Sequence, residues 1–292
     1  MELSIVIAAR NEAEVIPGQL EAILGQSCPA PFEVLVVDNG SSDGTADVVR
    51  AFAAQHPELR LVEAPERAGL PYARNVGAAA ARGRFLVYTD ADDLAAAGWL
   101  AALHRGVQRT GFAAARLEHE RLNPAWTVPW RGQEQTDALV LREYGPRWPY
   151  AYGTSLAISR DLHEAVGGWD ETLGSSSDMD YCYRVQRDTG AELVLVPDAV
   201  LHYRHRTSAR ATLSQSIAYA ADEMRVQARH RGDWRQPLPV LSLPHLVLRN
   251  GRRWLIPDRR AGRRFDPIRR RADLGRWLWG LGADIGRRRG GP

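Results

Sequence analysis

The sequence predicts an α/β protein with a mostly parallel β-sheet that carries helices on both faces. β-rich segments and helical patterns alternate through the first hundred residues, as they do in proteins with parallel sheets. Two strand candidates end in aspartates, Asp38 and Asp90, at the sheet edge where such proteins bind ligands. The 292 residues, 45% of them apolar and 25% charged, suit one large globular domain or a domain with an appendage.

The first elements follow from hydrophobic periodicity and from the turn residues between them. Val15, Leu20 and Ile23 recur at helical spacing after the first strand, and the segment 38–45 contains Asn-Gly and Asp-Gly pairs that favour turns. A further helix is expected to begin near Leu94. In chain order, the strands are expected at residues 3–8, 32–37, 59–62 and 85–88, and the helices begin near residues 15, 46 and 72.

The rest of the chain is less regular. Tryptophans and prolines cluster between residues 124 and 149, which predicts a long covering loop. After this loop we expect a strand that ends at residue 158, a helix at 161–166 and a turn at the glycine pair 167–168. A helix at 178–187, a strand at 193–196 and a long helix at 208–231 complete the prediction.

Three aspartates, Asp90, Asp92 and Asp93, follow the fourth strand candidate. Carboxylate oxygens are hard ligands that suit Mg²⁺ or Mn²⁺, and these ions commonly hold a diphosphate. Without a cation the three carboxylates would repel one another. The alternative is a solvated loop that caps the following helix. The cluster therefore predicts a site for a divalent cation.

Composition excludes several classes of mechanism. All 38 basic residues are arginines, so no lysine is present to act in a phosphate-binding loop, as a Schiff base or as a general base. Cys28 and Cys182 are too few for a disulfide framework or a cysteine metal site. No apolar run approaches about 20 residues, and the N-terminus lacks the pattern of a signal peptide. We therefore expect a cytoplasmic location.

Five sequence blocks stand out along residues 3–210. They are residues 5–12 (IVIAARNE), 36–45 (VVDNGSSDGT), 73–77 (ARNVG), 88–93 (YTDADD), and 167–171 (GGWDE) followed by 177–180 (SDMD). In this order and spacing they resemble the family 2 glycosyltransferases, which have the nucleotide-sugar-binding GT-A fold with its Rossmann-like sheet. Each block alone is weakly specific, and the resemblance depends on all five together.

The resemblance implies an enzyme that moves a sugar from a nucleoside diphosphate sugar to a hydroxyl acceptor with inversion. Asp38 would accept a hydrogen bond from the nucleotide base, and the alternative is an Asx-turn that starts the next helix. Arg74 would approach the nucleotide, and the alternative is a solvated arginine on an alanine-rich helix. The implied donor-nucleotide residues are Ala9, Asn11, Glu12, Asp38, Arg74 and Asp90.

The resemblance also implies a metal site. A divalent cation, Mg²⁺ or Mn²⁺, would bridge the two phosphates and act as a Lewis acid on the leaving diphosphate. The implied ligands are Asp90, Asp92, Asp93 and His202. For His202 the alternative is a structural role.

Asp178 occupies the position of the family's general base, which deprotonates the acceptor hydroxyl. The residue before it, usually a glutamate, is Ser177 here. Gly153, Thr154, Trp169 and Asp180 are expected near the acceptor. For Trp169 the alternative is a side chain that fills the core.

Two departures keep other functions open. Residues 8–10 read Ala-Ala-Arg where many relatives carry proline, a small polar residue and tyrosine, which leaves the donor nucleotide open. Ser177 keeps open a non-catalytic nucleotide-sugar-binding or assembly protein of the same fold. A sugar nucleotidyltransferase is disfavoured, because its glycine-rich signature with a working lysine is absent. The expected product is a bacterial glycan, glycolipid or glycosylated metabolite; the sugar, the acceptor and the oligomeric state stay open.

The end of the chain has a different charge from the rest. Residues 249–292 carry 14 arginines against 4 aspartates, whereas the first 248 residues carry 24 arginines against 31 acidic residues. We therefore expect a GT-A catalytic domain at 1–235 and a basic extension at 236–292. Apolar residues recur at helical spacing between 274 and 285, so this extension predicts a peripheral contact with an anionic membrane surface. The alternative is a helix docked on the catalytic domain, and no nucleic-acid partner is expected.

Overall fold

The computed structural model describes residues 1–128, 134–142 and 146–230, together with residues 283 and 285. The chain forms two compact units. Unit 1 comprises Met1–Glu118, Gln135–Leu141 and Trp148–Tyr203, and unit 2 comprises His119–Glu134, Arg142–Arg147 and Arg204–Pro292. The expected domain boundary near residue 235 falls outside the described residues, as does the basic extension apart from residues 283 and 285. The division at residue 235 therefore stays a prediction.

An eight-stranded sheet forms the centre of unit 1. Its strands are β1 (Leu3–Ala9), β2 (Phe32–Asp38), β3 (Leu59–Glu63), β4 (Phe85–Asp90), β5 (Leu94–Ala95), β6 (Phe112–Glu118), β7 (Leu156–Ser159) and β8 (Val194–His202). They lie in the order β3-β2-β1-β4-β7-β6-β8-β5. The first four strands are parallel, as are β6 and β8, while β7 and β5 run antiparallel to their neighbours. The predicted α/β class with a mostly parallel sheet is confirmed.

Helices connect the strands. Those of unit 1 are α1 (Ile16–Leu24), α2 (Thr45–Ala53), α3 (Leu70–Ala80), α4 (Trp99–Thr110), α5 (Arg160–Ala165) and α6 (Ser177–Thr189), with a 3₁₀ turn at Gly153–Ser155. Each helix that the sequence predicts in this unit, apart from the one near Leu94, is present with ends shifted by a few residues. Strand β6 and helix α4 with these bounds are not among the elements that the sequence predicts.

Helices pack on both faces of the sheet, so its central strands are buried on both sides. Leu3, Ile5 and Ile7 of β1 share one core cluster with residues of α1 and α4. Alternate residues of a strand point to opposite faces, and on the other face α3 packs against β1 through Gly77. A Cβ atom at Gly77 would lie 2.4 Å from Cγ1 of Val6, so this close approach requires a glycine.

The register of the parallel strands brings the functional candidates to one edge. Ala9 of β1 pairs with Asp38 of β2, and Ala8 pairs with Asp90 of β4. The carboxyl ends of these three strands therefore lie side by side, as the sequence predicts for Asp38 and Asp90.

The helix expected near Leu94 is absent from this position, and the prediction is wrong here. Leu94–Ala95 forms β5, and α4 begins only at Trp99. Leu94 pairs with His202 and Ala95 with Leu201 of β8. Strand pairing with a distant part of the chain therefore overrides the local helical tendency.

Strand β8 is longer than the sequence predicts, because it continues past Pro197. The apolar pattern ends before this residue, which has no N–H group for a sheet ladder. In the β6–β8 pairing, Ala115 is opposite Val196 and the next residue, Arg116, is opposite Val200. The extra residues of β8 form an irregularity that accommodates the proline.

Residues 119–134 belong to unit 2 and separate two segments of unit 1. The two segments meet where the N–H of Leu117 donates to the carbonyl oxygen of Gln135 at 2.9 Å. Gln135 is buried with a φ of +58°. Its side chain donates to the carbonyl oxygen of Ala115 at 2.8 Å and accepts from the N–H of Tyr152 at 2.7 Å. This glutamine thus joins β6 to the segment that leads into the 3₁₀ turn.

Unit 2 contains the helix α7 (Ala209–Arg229). Ser208 caps it, because its Oγ accepts from the N–H of Ala211 at 3.1 Å. In the same unit, His119 Nδ1 and His205 Nε2 lie 2.9 Å apart, and the N–H of His205 donates to Oδ1 of Asn123. None of the helices in the described ranges has the length and apolar character to span a bilayer.

Candidate functional site

The three aspartates that follow β4 form one cluster. A ligand oxygen from each of Asp90, Asp92 and Asp93 lies within 4.8 Å of the others. Asp93 is buried, and the other two are partly exposed. Three carboxylate oxygens are the donor set that suits Mg²⁺ or Mn²⁺, so the residues fit a divalent cation. The cluster does not cap a helix, because the N-cap of α4 is Gly98.

Gln19 of α1 holds this loop from one side. It is fully buried, and its Nε2 donates to Thr89 Oγ1 at 3.0 Å and to the carbonyl oxygen of Asp90 at 3.2 Å. Its Oε1 accepts from the N–H of Ala95 at 2.9 Å. Sequence reasoning missed this residue. The available signal was a glutamine on the otherwise apolar face of α1.

Thr154 holds the same loop from the other side. Its hydroxyl accepts from the N–H of Asp90 at 3.0 Å and donates to Oδ2 of Asp93 at 2.5 Å. The neighbouring Gly153 donates its N–H to Oδ2 of Asp178 at 3.2 Å. The sequence predicts both residues near the acceptor. The structure places them between the aspartate cluster and Asp178.

Arg74 is buried on α3 with 3% of its surface exposed. Its Nη2 donates to Oδ1 of Asp90 at 2.8 Å, and its guanidinium lies over the ring of Trp169 with Cζ 4.6 Å from the ring centroid. A Cβ atom at Gly153 would lie 2.2 Å from Nη1 of Arg74. The alternative of a solvated arginine is therefore wrong, and Arg74 connects the cluster to the interior of the fold.

Trp169 lies in the core. Its indole stacks on Tyr181 with ring centroids 4.1 Å apart and meets Tyr88 edge-on at 5.1 Å. Asn75 holds its backbone, accepting from the Trp169 N–H and donating to the Trp169 carbonyl oxygen, both at 2.9 Å. With 2% of its surface exposed and Arg74 over the ring, this tryptophan matches the core alternative that the sequence left open.

Asp178 lies in the first turn of α6, and each of its carboxylate oxygens accepts a hydrogen bond from a backbone N–H. Oδ1 accepts from the N–H of Met179 at 2.8 Å and Oδ2 from that of Gly153. Surrounding protein atoms raise the pKa of Asp178 by desolvation, and the charge of Asp90 adds to the rise. The Arg74 guanidinium and the two N–H donors oppose it. A partly exposed carboxylate with a raised pKa is suited to accept a proton.

The carboxylate of Asp180 forms an ion pair with Arg184 of the same helix, α6. It is buried, and its Oδ2 accepts from Nε of Arg184 at 2.7 Å. Arg184 also donates from Nη1 to the carbonyl oxygen of Val166 at 2.7 Å. Asp180 therefore ties α6 to the end of α5, and its expected contact with the acceptor stays a prediction.

The loops that follow β1 and β2 are bound to each other. The N–H of Asn11 donates to Ser41 Oγ at 2.9 Å, and Oδ1 of Asn11 accepts from the N–H of Ser42 at 2.8 Å. The N–H of Glu12 donates to Oγ1 of Thr45 at 2.9 Å. Together these bonds fix the predicted nucleotide loops at the edge of the sheet.

Asp38 and Ala9 lie at the base of these loops. Both are buried, and the carboxylate of Asp38 accepts from the N–H of Ser41 at 3.3 Å. This bond spans three residues and not the two of an Asx-turn, and Asp43 rather than Asp38 bonds the first residue of α2. Contact of Asp38 with a nucleotide base stays a prediction.

His202 ends β8 and lies outside the cluster of three carboxylates that the described residues form. Its backbone is opposite Leu94, next to Asp93 in sequence. Its Nδ1 lies 2.6 Å from Oε2 of Glu118, a carboxylate partner of the kind that orients ligating histidines. The sequence analysis did not identify Glu118, which is 84 residues away in sequence.

The fold, with the carboxylate cluster at the end of β4, places the chain in the GT-A class. The sequence model of that class described as "Glycosyl transferase family 2" matches residues 4–167 of the chain. The chain belongs to this family, and the resemblance carried by the five sequence blocks is confirmed.

Curated relatives carry glycosyltransferase names. "Glycosyltransferase AglE" of Haloferax volcanii is 29% identical over 202 residues, which cover 68% of this chain and 65% of the relative. "Pre-mycofactocin glycosyltransferase" of Mycobacterium tuberculosis is 28% identical over 247 residues, which cover 78% of this chain and 48% of the relative. The chain therefore spans 65% and 48% of the length of these two relatives.

A solved structure has the same fold. The mannosyltransferase PcManGT from Pyrobaculum calidifontis, in complex with GDP-Man and Mn²⁺, matches with a TM-score of 0.64 at 24% identity. The match covers 97% of this chain and 86% of that chain. The GT-A fold expected from the sequence blocks is confirmed.

Proposed function

We propose that this protein is a metal-dependent, inverting glycosyltransferase that moves a hexosyl group from a nucleoside diphosphate sugar to a hydroxyl acceptor. One observation carries the proposal. The carboxylate cluster and Asp178 flank a single 3₁₀ turn, in which Thr154 contacts Asp90 and Asp93 while Gly153 contacts Asp178. A site for the leaving diphosphate and a base for the incoming hydroxyl are needed together for such a transfer.

Asp90, Asp92 and Asp93 would hold the divalent cation, Mg²⁺ or Mn²⁺. When bound, the cation supplies Lewis-acid stabilisation of the leaving diphosphate. His202, held by Glu118, is a further candidate for contact with the metal or a phosphate. The Mn²⁺ and GDP-Man in the structure of the similar mannosyltransferase support this assignment.

Asp178 would act as the general base. Hydrogen bonds from two backbone N–H groups fix the orientation of its carboxylate. Its raised pKa increases its affinity for a proton, and the positive charge of Arg74 limits that rise and so favours the ionised form. Inversion follows if the hydroxyl that it deprotonates attacks from the face opposite the diphosphate. Although Ser177 replaces the family's usual glutamate, the carboxylate of Asp178 is still present.

The donor nucleotide would lie along the loops after β1 and β2, over Ala9, Asn11, Glu12 and Asp38. Acceptors would be glycan, lipid or small-molecule hydroxyls. We further propose a cytoplasmic enzyme whose basic extension contacts the inner face of an anionic membrane, because that segment combines 14 arginines with apolar residues at helical spacing.

The test is a thermal-shift panel of UDP-, GDP- and dTDP-sugars, each with and without Mn²⁺. A ligand that binds only the folded chain raises its melting temperature by mass action, so one nucleotide class should give a shift that requires Mn²⁺. No shift with any donor, from well-folded protein, would contradict the donor site.

The variant Asp178→Asn distinguishes the hypothesis of an enzyme from that of a non-catalytic binding protein. The amide cannot accept the proton, so donor hydrolysis or transfer should fall by at least a hundredfold while the Mn²⁺-dependent thermal shift is retained. Asp188→Asn, which removes an exposed carboxylate near the end of the same helix, is the matched control. Wild-type protein that binds the donor without any turnover would favour the binding protein.

A further inference from the structure

The hydroxyl of Thr154 makes two contacts with the proposed metal cluster. It accepts from the backbone N–H of Asp90 at 3.0 Å and donates to Oδ2 of Asp93 at 2.5 Å. Thr154 is buried with 2% of its surface exposed. The first and last aspartates of the cluster are therefore joined through one buried oxygen atom.

We propose that Thr154 is a positioning residue of the metal site and not a contact of the acceptor. This inference rests on the proposed function, since it assumes that the aspartate cluster binds a divalent cation. By holding the Asp93 carboxylate and the Asp90 backbone, the Thr154 hydroxyl fixes the separation of the ligands before the metal arrives.

The chemistry of a hydroxyl group supports this assignment. A threonine hydroxyl has one proton to donate, and that proton is directed to Asp93 in a short, charge-assisted hydrogen bond. It is therefore not available to an acceptor sugar or lipid. The bond also opposes the mutual repulsion that would separate three carboxylates.

The turn that carries Thr154 is itself held in place. The N–H of Ser155 donates to the carbonyl oxygen of Tyr152 at 3.0 Å. Nε2 of Gln135 donates to Oγ of Ser155 at 2.5 Å, and Oε1 of the same glutamine accepts from the N–H of Tyr152 at 2.7 Å. The hydroxyl is therefore presented from a fixed backbone, as expected of a group that sets the geometry of ligands.

Two substitutions of nearly equal volume test the proposal. Thr154→Val keeps the shape of the side chain and removes the hydroxyl, whereas Thr154→Ser keeps the hydroxyl. The full chain is titrated with Mn²⁺ in saturating UDP or GDP, whichever shifts the wild-type melting temperature. Free Mn²⁺ is followed by electron paramagnetic resonance. Groups that hold metal ligands typically contribute 10- to 100-fold to metal affinity.

We expect Thr154→Val to raise the Mn²⁺ dissociation constant by about 10- to 100-fold and Thr154→Ser to leave it within about threefold of the wild type. Thr154→Ala serves the same purpose if the valine variant does not fold. Unchanged Mn²⁺ affinity without the hydroxyl would overturn the proposal, and this is the result that an acceptor contact predicts. Equal losses in the valine and serine variants would also overturn it, because packing alone would then explain them.

The same titration separates this inference from the proposed function. Wild-type protein that binds no Mn²⁺ would contradict the metal site itself and the role of Thr154 with it. Wild-type protein that binds Mn²⁺ together with a valine variant that binds it equally well would contradict only the role of Thr154.

Discussion

Gly77 allows a sharp test of how α3 is held against the sheet. In Gly77→Ala, the added Cβ would lie 2.4 Å from Val6 Cγ1 and 2.9 Å from Val37 Cγ2. Both valines are fully buried in the sheet. Non-bonded carbon atoms pack at about 3.5–4.0 Å, so α3 would have to move away from the sheet by about 1 Å.

The expected cost follows from two opposing effects. Overpacking of a core typically costs about 1–3 kcal/mol, while replacing glycine by alanine inside a helix gains up to about 1 kcal/mol from helix propensity. Gly18→Ala is the matched control, because Gly18 lies on α1 with no atom within 4 Å of an added Cβ. The control should gain the propensity term alone.

Urea unfolding of both variants measures the difference. We expect Gly77→Ala to be less stable than Gly18→Ala by about 1–3 kcal/mol. Because α3 also carries Arg74, its shift should weaken the 2.8 Å bond from Arg74 to Asp90 and lower the affinity for the donor. Two variants within about 0.5 kcal/mol of each other would refute the close packing of α3 as the reason for the glycine.

Two further predictions concern pH. Burial lowers the pKa of His163 to about 4, below the ordinary value of about 6.5, so its stabilising effect is complete above pH 6.5 and is lost as the pH falls towards 4. In urea unfolding between pH 7.5 and pH 5, this decline should amount to about 2 kcal/mol; His163→Gln should flatten it, and the partly exposed His56→Gln should leave it unchanged. Arg74→Gln removes the guanidinium that opposes the raised pKa of Asp178, so the acidic limb of the pH–rate profile should move to higher pH. Arg187→Gln, a change on the exposed side of α6, is its control, and equal profiles for the two variants would contradict the electrostatic role of Arg74.

The sequence predicts the carboxylate cluster well, because a strand followed by Asp90, Asp92 and Asp93 is a local pattern. It also predicts which edge of the sheet these residues share, since parallel strands bring Asp38 and Asp90 together. The five sequence blocks predict the family for the same reason: each block is contiguous.

The side chains that hold the cluster could not be predicted in this way. Gln19 lies 71 residues from Asp90, and Thr154 lies 61 residues from Asp93. The contacts of these two side chains depend on how elements that are distant in sequence pack together, and no short sequence pattern predicts that packing. The error at Leu94 has the same origin, because its strand pairing depends on His202. Trp169 differs from these cases, because it belongs to a recognisable sequence motif. The motif alone does not show whether the side chain lies in the core or at the surface, and this is seen only from its burial.

The bond between Leu117 and Gln135 has a consequence for how this family could diversify. Every residue to which we assign a chemical role lies in unit 1, yet the chain departs after Glu118 and returns at Gln135 to nearly the same point. A segment whose two ends lie close together can change in length at small entropic cost, because the entropy of loop closure depends only weakly on chain length. Chimeras that exchange residues 119–134 with those of a relative should therefore keep the bond between Leu117 and Gln135, so that the segment can vary while the proposed reaction centre of unit 1 is inherited unaltered.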